Sequence, residues 1–573
     1  MLTLYCSMDW VPFLNQYIWF NSGFGCLRRI RSYIEGYESR FDPLVIPLEV
    51  DDPFDDVQAL DDDADPTASP GKYYTAADYH ALYVSGSLTP TAVAKAILPL
   101  IRRDTSPPGL HSIAWFDVAV DRVLAAAEAS TKRYQANKPL GVLDGVPTAV
   151  KDEYDLDGYT TCLGSVNDYT GDEPYENSDS ITSWCARQLQ EAGAVILGKL
   201  SMHEFGLDTT GTNLKYGTPT NPHNPNYYTG GSSSGCAYTV SAGLVPFAMG
   251  SDGGGSVRIP ASLCSVFGLK PTHGRVSYKP GVNHANTVSV NGPLAADISS
   301  LAAAYEVIAT PGPGSTFPST ILPPKLIPLS AARKQVIPLG ISKAWFARAD
   351  RQVQDLCNSL LAKIVQQTGN AYELIPIEIP FLAEGQIAHA ITILTDGATL
   401  LPDTSKFAPA NRILLALGRA APATDYLLAQ KLRQALMQHL SFLWQQHPGM
   451  LIISPTTSSA GWPIMSRSEL VYGLSDGDRT LRCMEYVWLA NFAGIPSITM
   501  PAGFARAETP NAKVKGEDDG MVPVGLMAMG EWGNEKELLQ FGLDVEEVGR
   551  ERYRRPPIWV DIVEKAKKEM QAS

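Results

Sequence analysis

Residues 230–260 constrain this chain more than any other stretch. They gather glycine and serine around an apolar segment: Gly-Gly-Ser-Ser-Ser-Gly at 230–235, then Ser-Asp-Gly-Gly-Gly-Ser-Val-Arg-Ile-Pro at 251–260. A flexible linker would not enclose Leu244-Val245-Pro246-Phe247-Ala248-Met249, so this composition belongs to a packed core. The small residues that follow Cys236 suit a tightly packed helix. Glycines placed immediately before a serine let backbone N–H groups turn toward one point, which is how an oxyanion hole for acyl transfer is built. Ser256, preceded by Gly253, Gly254 and Gly255, is therefore the candidate nucleophile. The pentapeptide Gly231-Ser232-Ser233-Ser234-Gly235 also satisfies G-x-S-x-G, the nucleophile elbow, with Ser233 as its serine. An elbow follows a strand, whereas Asn221-Pro222-His223-Asn224-Pro225-Asn226 is turn chemistry, so Ser233 is the weaker candidate.

From Tyr73 onward, helical and strand patterns alternate. Helices are predicted over 91–103 and over the alanine-rich 119–136, with a short strand at 113–116 between them. The β-branched run around Thr148 and Val150 predicts a buried strand that ends on Lys151 at the floor of a cleft; a plain lysine capping a strand is the competing reading. A helix over 180–192, capped by Asp179 or Ser180, leads through Gly193 into an apolar strand at 194–199. This is half of a βαβ unit and implies parallel strands. Further helices are predicted over 301–310, 352–367, 382–394 and 424–445, and strands near 336–341, 374–379, 450–454, 497–500 and 522–529. No fixed repeat period appears, so the expected fold class is α/β, one large layered α/β/α domain over 73–573 behind an N-terminal extension over 1–72.

Composition removes several function classes. The formal net charge of −14 is concentrated: nine acids and no Lys or Arg lie between Glu49 and Asp65, which leaves −5 for the rest. No basic footprint for nucleic acid exists beyond Arg28-Arg29-Ile30-Arg31. The eight cysteines form no C-x-x-C pair, which reads as reduced thiols in a cytoplasmic protein, and the nine histidines show no metal-binding spacing, so no metal is expected. The aromatic stretch from Trp10 to Leu27 is interrupted by Asn15, Gln16 and Asn21 and suits neither a signal peptide nor a membrane span. It reads as a helix packing on the body; weak membrane-surface association, helped by Arg28, Arg29 and Arg31, is the sharper alternative.

Three separated blocks point one way. The first is Gly145-Val146-Pro147 with Lys151; the second is 230–258 followed by Gly268-Leu269-Lys270-Pro271-Thr272. The third runs from Asn491 through Pro496 and Pro501 to Phe504, with Val522-Pro523-Val524-Gly525-Leu526 behind it. Together they resemble the amidase signature enzymes over about Tyr73 to Val548. The resemblance implies a mixed central sheet flanked by helices, a cis Gly231–Ser232 peptide and a Ser-Ser-Lys triad. In that triad Ser256 is the nucleophile, Ser232 the bridge and Lys151 the base. It further implies an oxyanion hole from the N–H groups of Gly253, Gly254, Gly255 and Ser256, and a supporting role for Asp252 and Arg258. No cofactor is required.

The chemistry agrees with that assignment. An amide has a weakly electrophilic carbonyl and a poor leaving group, so it needs an activated hydroxyl, oxyanion donors and a proton for the departing amine. The leading expectation is hydrolysis of a small-molecule carboxylic amide, with esters or carbamates accessible through the same acyl intermediate. A glutaminase-type subunit that passes ammonia to a partner, and a non-catalytic binding protein, are the alternatives. A homodimer is compatible with each.

Overall fold

Among the described residues, short runs of apolar and β-branched residues supply eleven strands, and these pair into a single sheet with the order β1-β3-β2-β4-β6-β5-β10-β11-β9-β7-β8. The strands are β1 Trp115–Asp117, β2 Pro147–Lys151, β3 Val195–Leu200, β4 Phe247–Asp252, β5 Phe267–Lys270 and β6 Val290–Ala295. They continue with β7 Ile337–Ile341, β8 Tyr372–Pro376, β9 Leu451–Pro455, β10 Ser497–Arg506 and β11 Met521–Met529. The structure, a computed structural model, describes residues 12–46, 73–171, 180–281, 283–312, 315, 336–369, 371–401, 403–507 and 520–572.

The sheet is mixed, as expected. β2 runs parallel to β3 and β4, and β7 runs parallel to β8 and β9. Antiparallel pairs join these two parallel groups, the longest being β10 with β11 from Ser497↔Met529 to Arg506↔Met521. Every residue of β2, β3 and β4 is buried, the near-continuous apolar pattern of strands covered on both faces. At the far edge, β8 exposes Glu373 and Leu374.

Among the helices are α1 Pro12–Asn21, α2 Ser234–Ser241, α3 Arg258–Leu263, α4 Leu382–Leu400, α5 Pro409–Arg419, α6 Ala423–Gln446 and α7 Trp488–Ala493. The tightly packed helix expected from Cys236 onward begins two residues earlier, as α2, and all eight of its residues are buried. Several predicted boundaries move, among them the strand expected at 374–379, which spans Tyr372–Pro376, and two helices show why. The helix expected over 180–192 spans Trp184–Glu191, because Ile181, Thr182 and Ser183 are tied to the loop after β2. There the Ile181 N–H donates to Asp157, while the Asp157 and Asp155 N–H groups donate to Thr182 Oγ1 and Ser183 Oγ. Of its two expected caps, Asp179 lies outside the described residues. α4 runs past the expected 394 to Leu400, since α5 packs closely along it: a Cβ on Gly418 would lie 2.1 Å from the Leu394 carbonyl.

Residues 12–46 fold onto the same core. Trp19, Leu27 and Ile34 are buried, and Tyr17, Phe20 and Tyr33 face outward. Both nitrogens of an Arg28 fork donate to the Asp425 carboxylate at 2.8 Å, and the Arg40 N–H donates to the Gln430 carbonyl, so the segment is clamped to α6. The acidic stretch 49–65 lies outside the described residues. Among the described residues, no helix is long and apolar enough to cross a membrane.

Candidate active site

β2 and β4 lie side by side and parallel, with Val150 opposite Met249, so their carboxyl ends bring Lys151 beside Ser251 and Asp252. Lys151 is fully buried, which removes the reading of a plain surface lysine. Its Nζ donates to Ser232 Oγ and to Ser251 Oγ, each at 2.8 Å, and lies 3.3 Å from Glu153 Oε1. Ser232 arrives from the loop before α2. The Gly231–Ser232 peptide is cis, and the Ser232 carbonyl accepts from the His203 N–H at 3.1 Å. Gly231 allows a close crossing here: a Cβ on it would lie 2.6 Å from the Gly211 nitrogen.

Ser256 sits between the end of β4 and α3. Lys151, Ser232, Ser251, Gly253 and Ser256 line one cavity. Phe205, Leu207, Ala285 and Ile393 give that cavity an apolar flank, and Glu153, His284 and Ser289 give it a polar one. Ser233, the serine of the elbow motif, does not line it. Its Oγ donates to the Ser251 carbonyl and it stands at the start of α2, so the structure removes the elbow reading.

Asp252 and Arg258 organise the loop that presents Ser256. Asp252 Oδ1 accepts from the Gly255 N–H at 2.7 Å, and Oδ2 accepts from the N–H groups of Val257 and Arg258 at 3.1 and 3.3 Å. The Arg258 guanidinium closes the arrangement with two bonds of 3.0 Å to the same carboxylate. Asn491, on α7, bridges the pair by accepting from Arg258 Nη2 at 2.6 Å and donating to Asp252 Oδ1 at 3.0 Å. Burial alone would raise the Asp252 pKa, but the Arg258 charge and hydrogen bonds, Lys270 and the Gly255 N–H outweigh it. They hold the carboxyl well below the usual carboxylate range. Gly255 has φ +106°, a conformation that favours glycine, and a Cβ there would also strike Val487 and Ile259.

One expectation is corrected here. The Gly255 N–H, anticipated among four oxyanion donors, is committed to Asp252, because the turn must close on that carboxylate. Gly253, Gly254 and Ser256 remain as candidates.

The neighbouring histidines are neutral. Burial pushes His203 down to about 3 and His389 down to about 4, and it lowers His284. Among the described residues, no group of three or more His, Cys, Asp or Glu could hold a metal ion. Sequence reasoning missed Glu153, Ser251, Asn491 and His389. Ser251 and Asn491 lay inside the motif blocks without an assigned role, Glu153 lies two residues past Lys151, and nothing local marks His389.

Residues 110–539 match the family described as Amidase. The chain belongs to the amidase family. A fatty acid amide hydrolase of Arabidopsis thaliana is 33% identical over 543 residues, covering 92% of this chain and 84% of that relative. The fatty acid amide hydrolase of Medicago truncatula is 32% identical over 504 residues, covering 86% and 79%. A solved amidase structure superposes with a TM-score of 0.66 at 24% identity, over 82% of this chain and 99% of that one; this likeness speaks to the fold. This amidase family member is an amide-hydrolysing enzyme, and its family match contains Lys151, Ser232 and Ser256.

Proposed function

We propose that the enzyme hydrolyses carboxylic amides with a long apolar acyl chain, through an acyl-enzyme on Ser256. One observation carries the mechanism: the buried Lys151 Nζ is hydrogen-bonded to Ser232 Oγ in the cavity that Ser256 also lines. Neutral Lys151 accepts the Ser232 hydroxyl proton while Ser232 accepts that of Ser256, whose oxygen attacks the carbonyl carbon. The N–H groups of Gly253, Gly254 and Ser256 take the developing oxyanion. As the tetrahedral intermediate collapses, the C–N bond breaks and the proton returns from Lys151 through Ser232 to the nitrogen. Water then cleaves the ester by the same relay. The apolar flank formed by Phe205, Leu207, Ala285 and Ile393, and the naming of two relatives as fatty acid amide hydrolases, support the acyl preference.

The test is turnover of an acyl amide series from acetyl to long-chain, alongside aryl amides and glutamine, with mass spectrometry of the protein after a fluorophosphonate. The expected result is a kcat/KM that rises with chain length and an adduct on Ser256. A preference for acetamide or glutamine would reject the substrate class, and an adduct on Ser233 would reject the mechanism.

A further inference from the structure

Three consecutive glycines give the oxyanion loop its shape, yet none has a side chain with which to hold it. A Gly-Gly-Gly run loses more conformational freedom on ordering than any other tripeptide, so its restraint must come from outside. Three hydrogen bonds restrain it, one of them from the Ile259 N–H to the Gly255 carbonyl at 2.7 Å. Asp252 takes the Gly255 N–H, and His389, on α4, takes the Gly253 carbonyl with its Nε2 at 2.8 Å.

A carbonyl oxygen only accepts, so the proton of that bond resides on Nε2. Burial keeps the imidazole neutral and Nδ1 has no hydrogen-bond partner, which leaves the Nε2–H tautomer. In a trans peptide the C=O and the following N–H point in opposite directions. Holding the Gly253 carbonyl on His389 therefore turns the Gly254 N–H to the opposite side, away from α4. The next N–H along, that of Gly255, is turned onto Asp252. The imidazole also bears directly on the loop: a Cβ on Gly254 would lie 2.9 Å from His389 Cε1 and 2.7 Å from Met484 Cε. One turn along α4, Ile393 Cδ1 would meet a Cβ on Gly253 at 3.1 Å. His389 itself is fully buried and stacks edge-on with Phe492, their centroids 6.3 Å apart, so its ring is held from behind.

We propose that His389 is a positioning residue for acyl transfer, fixing the Gly253–Gly254 peptide plane so that the Gly254 N–H is preset for the oxyanion. This rests on the oxyanion reading of the loop given above. His389 hydrogen-bonds to the Gly253 carbonyl and to neither nucleophile nor base, so its contribution falls on the transition state and leaves ground-state binding nearly unchanged.

The experiment compares His389→Phe, which keeps ring volume without a donor, His389→Ala, and His389→Gln, whose amide nitrogen can replace Nε2, with Ser256→Ala as reference. Steady-state kinetics on one amide substrate, binding of a boronate that forms a tetrahedral adduct, and circular dichroism are measured on each. Phe and Ala variants are expected to lose kcat about 10- to 100-fold with KM within about threefold, less than the loss of an oxyanion donor itself. Boronate affinity should fall by a similar factor, and Gln should return kcat to within about fivefold of wild type. Wild-type kcat in a folded His389→Phe enzyme would overturn the proposal, as would a Gln variant no better than Phe. A dead Ser256→Ala enzyme alongside either outcome confines the failure to His389, whereas an active Ser256→Ala enzyme would sink the underlying reading instead.

Discussion

Asp152 and Asp252 occupy corresponding places, the first just beyond β2 and the second at the end of the adjacent parallel β4, and both are buried; their carboxyls nevertheless move in opposite directions. Burial pushes Asp152 up to about 6, against a Lys199 ammonium 3.6 Å away and a 2.9 Å bond from the Gly164 N–H. Asp252 meets the same burial but has the two-pronged Arg258 fork and three backbone N–H donors, and it is held low. The difference lies in the partners. A planar guanidinium in register with a carboxylate, supported by backbone donors, overcomes desolvation, and a distant ammonium does not. The wall of the cavity that carries Ser256 is thus backed by an ion pair that overcomes its own desolvation, whereas the pair that follows Lys151 in the chain, Asp152 with Lys199, does not.

The largest test asks whether the two walls act as one machine. Ser256→Ala and Lys151→Arg, each removed from its own wall, should lower kcat by about 10⁴-fold or more. The double variant should be no worse than the poorer single, because groups that act as a unit are not additive. Additive losses in single-turnover acylation would separate the walls functionally.

Next comes stability on the Asp252 side. Asp252→Asn leaves the Arg258 charge buried and should cost about 3 to 5 kcal/mol in urea unfolding at pH 7. Because the folded carboxyl is held below its ordinary value, wild-type Asp252 contributes stability above about pH 4 that is lost as pH falls toward the depressed value. The variant should therefore show a flatter acid limb.

Asp152→Asn should cost less, and its pH dependence should have the opposite sign. With a folded carboxyl raised to about 6, the favourable contribution of Asp152 is complete below the unfolded value near 3.8 and disappears as pH rises through 6. The penalty of the substitution should therefore shrink between pH 5 and pH 8. A penalty that grows over that range would show Asp152 to be stabilised as the anion.

The smallest effect belongs to Arg28. It forms the same two-pronged geometry with Asp425 at 2.8 Å, but its side chain is 44% exposed. The Asp425 carboxylate beneath it is buried, but removing the half-exposed arginine opens that carboxylate to water, so Arg28→Ala should cost about 1 kcal/mol, screened further by salt. A loss as large as that of Asp252→Asn would show that the buried Asp425 carboxylate stays out of water without its arginine, and that burial of one partner is enough to set the cost.

The Ser256 wall was legible in the sequence because its parts are close neighbours: Asp252, Gly253 to Gly255, Ser256 and Arg258 close on one another within seven residues. Even there, a string of three glycines did not reveal that the Gly255 N–H turns back onto Asp252, since glycine permits either direction. The Lys151 wall was legible as a strand that ends on a lysine. Its neighbours were not, because Lys199 reaches Asp152 only through the pairing of β3 with β2. Glu153 carried no local signal to distinguish it from an exposed acid.

Local patterning determined by itself that strands and helices alternate, that Ser256 follows a loop free to turn its amides, and that Lys151 ends an apolar strand, since each depends on residues within a few positions. The partners of those residues were decided by the tertiary structure. Only the side-by-side packing of β2 and β4 places Lys151 against Ser251, one hundred positions away, and only the loop before α2 brings it Ser232, eighty-one positions away. Only the passage of α4 over the end of β4 sets His389 on the Gly253 carbonyl. Contacts at such separations arise from how the sheet and its covering helices bury one another's apolar faces, and no window of neighbouring residues contains that information.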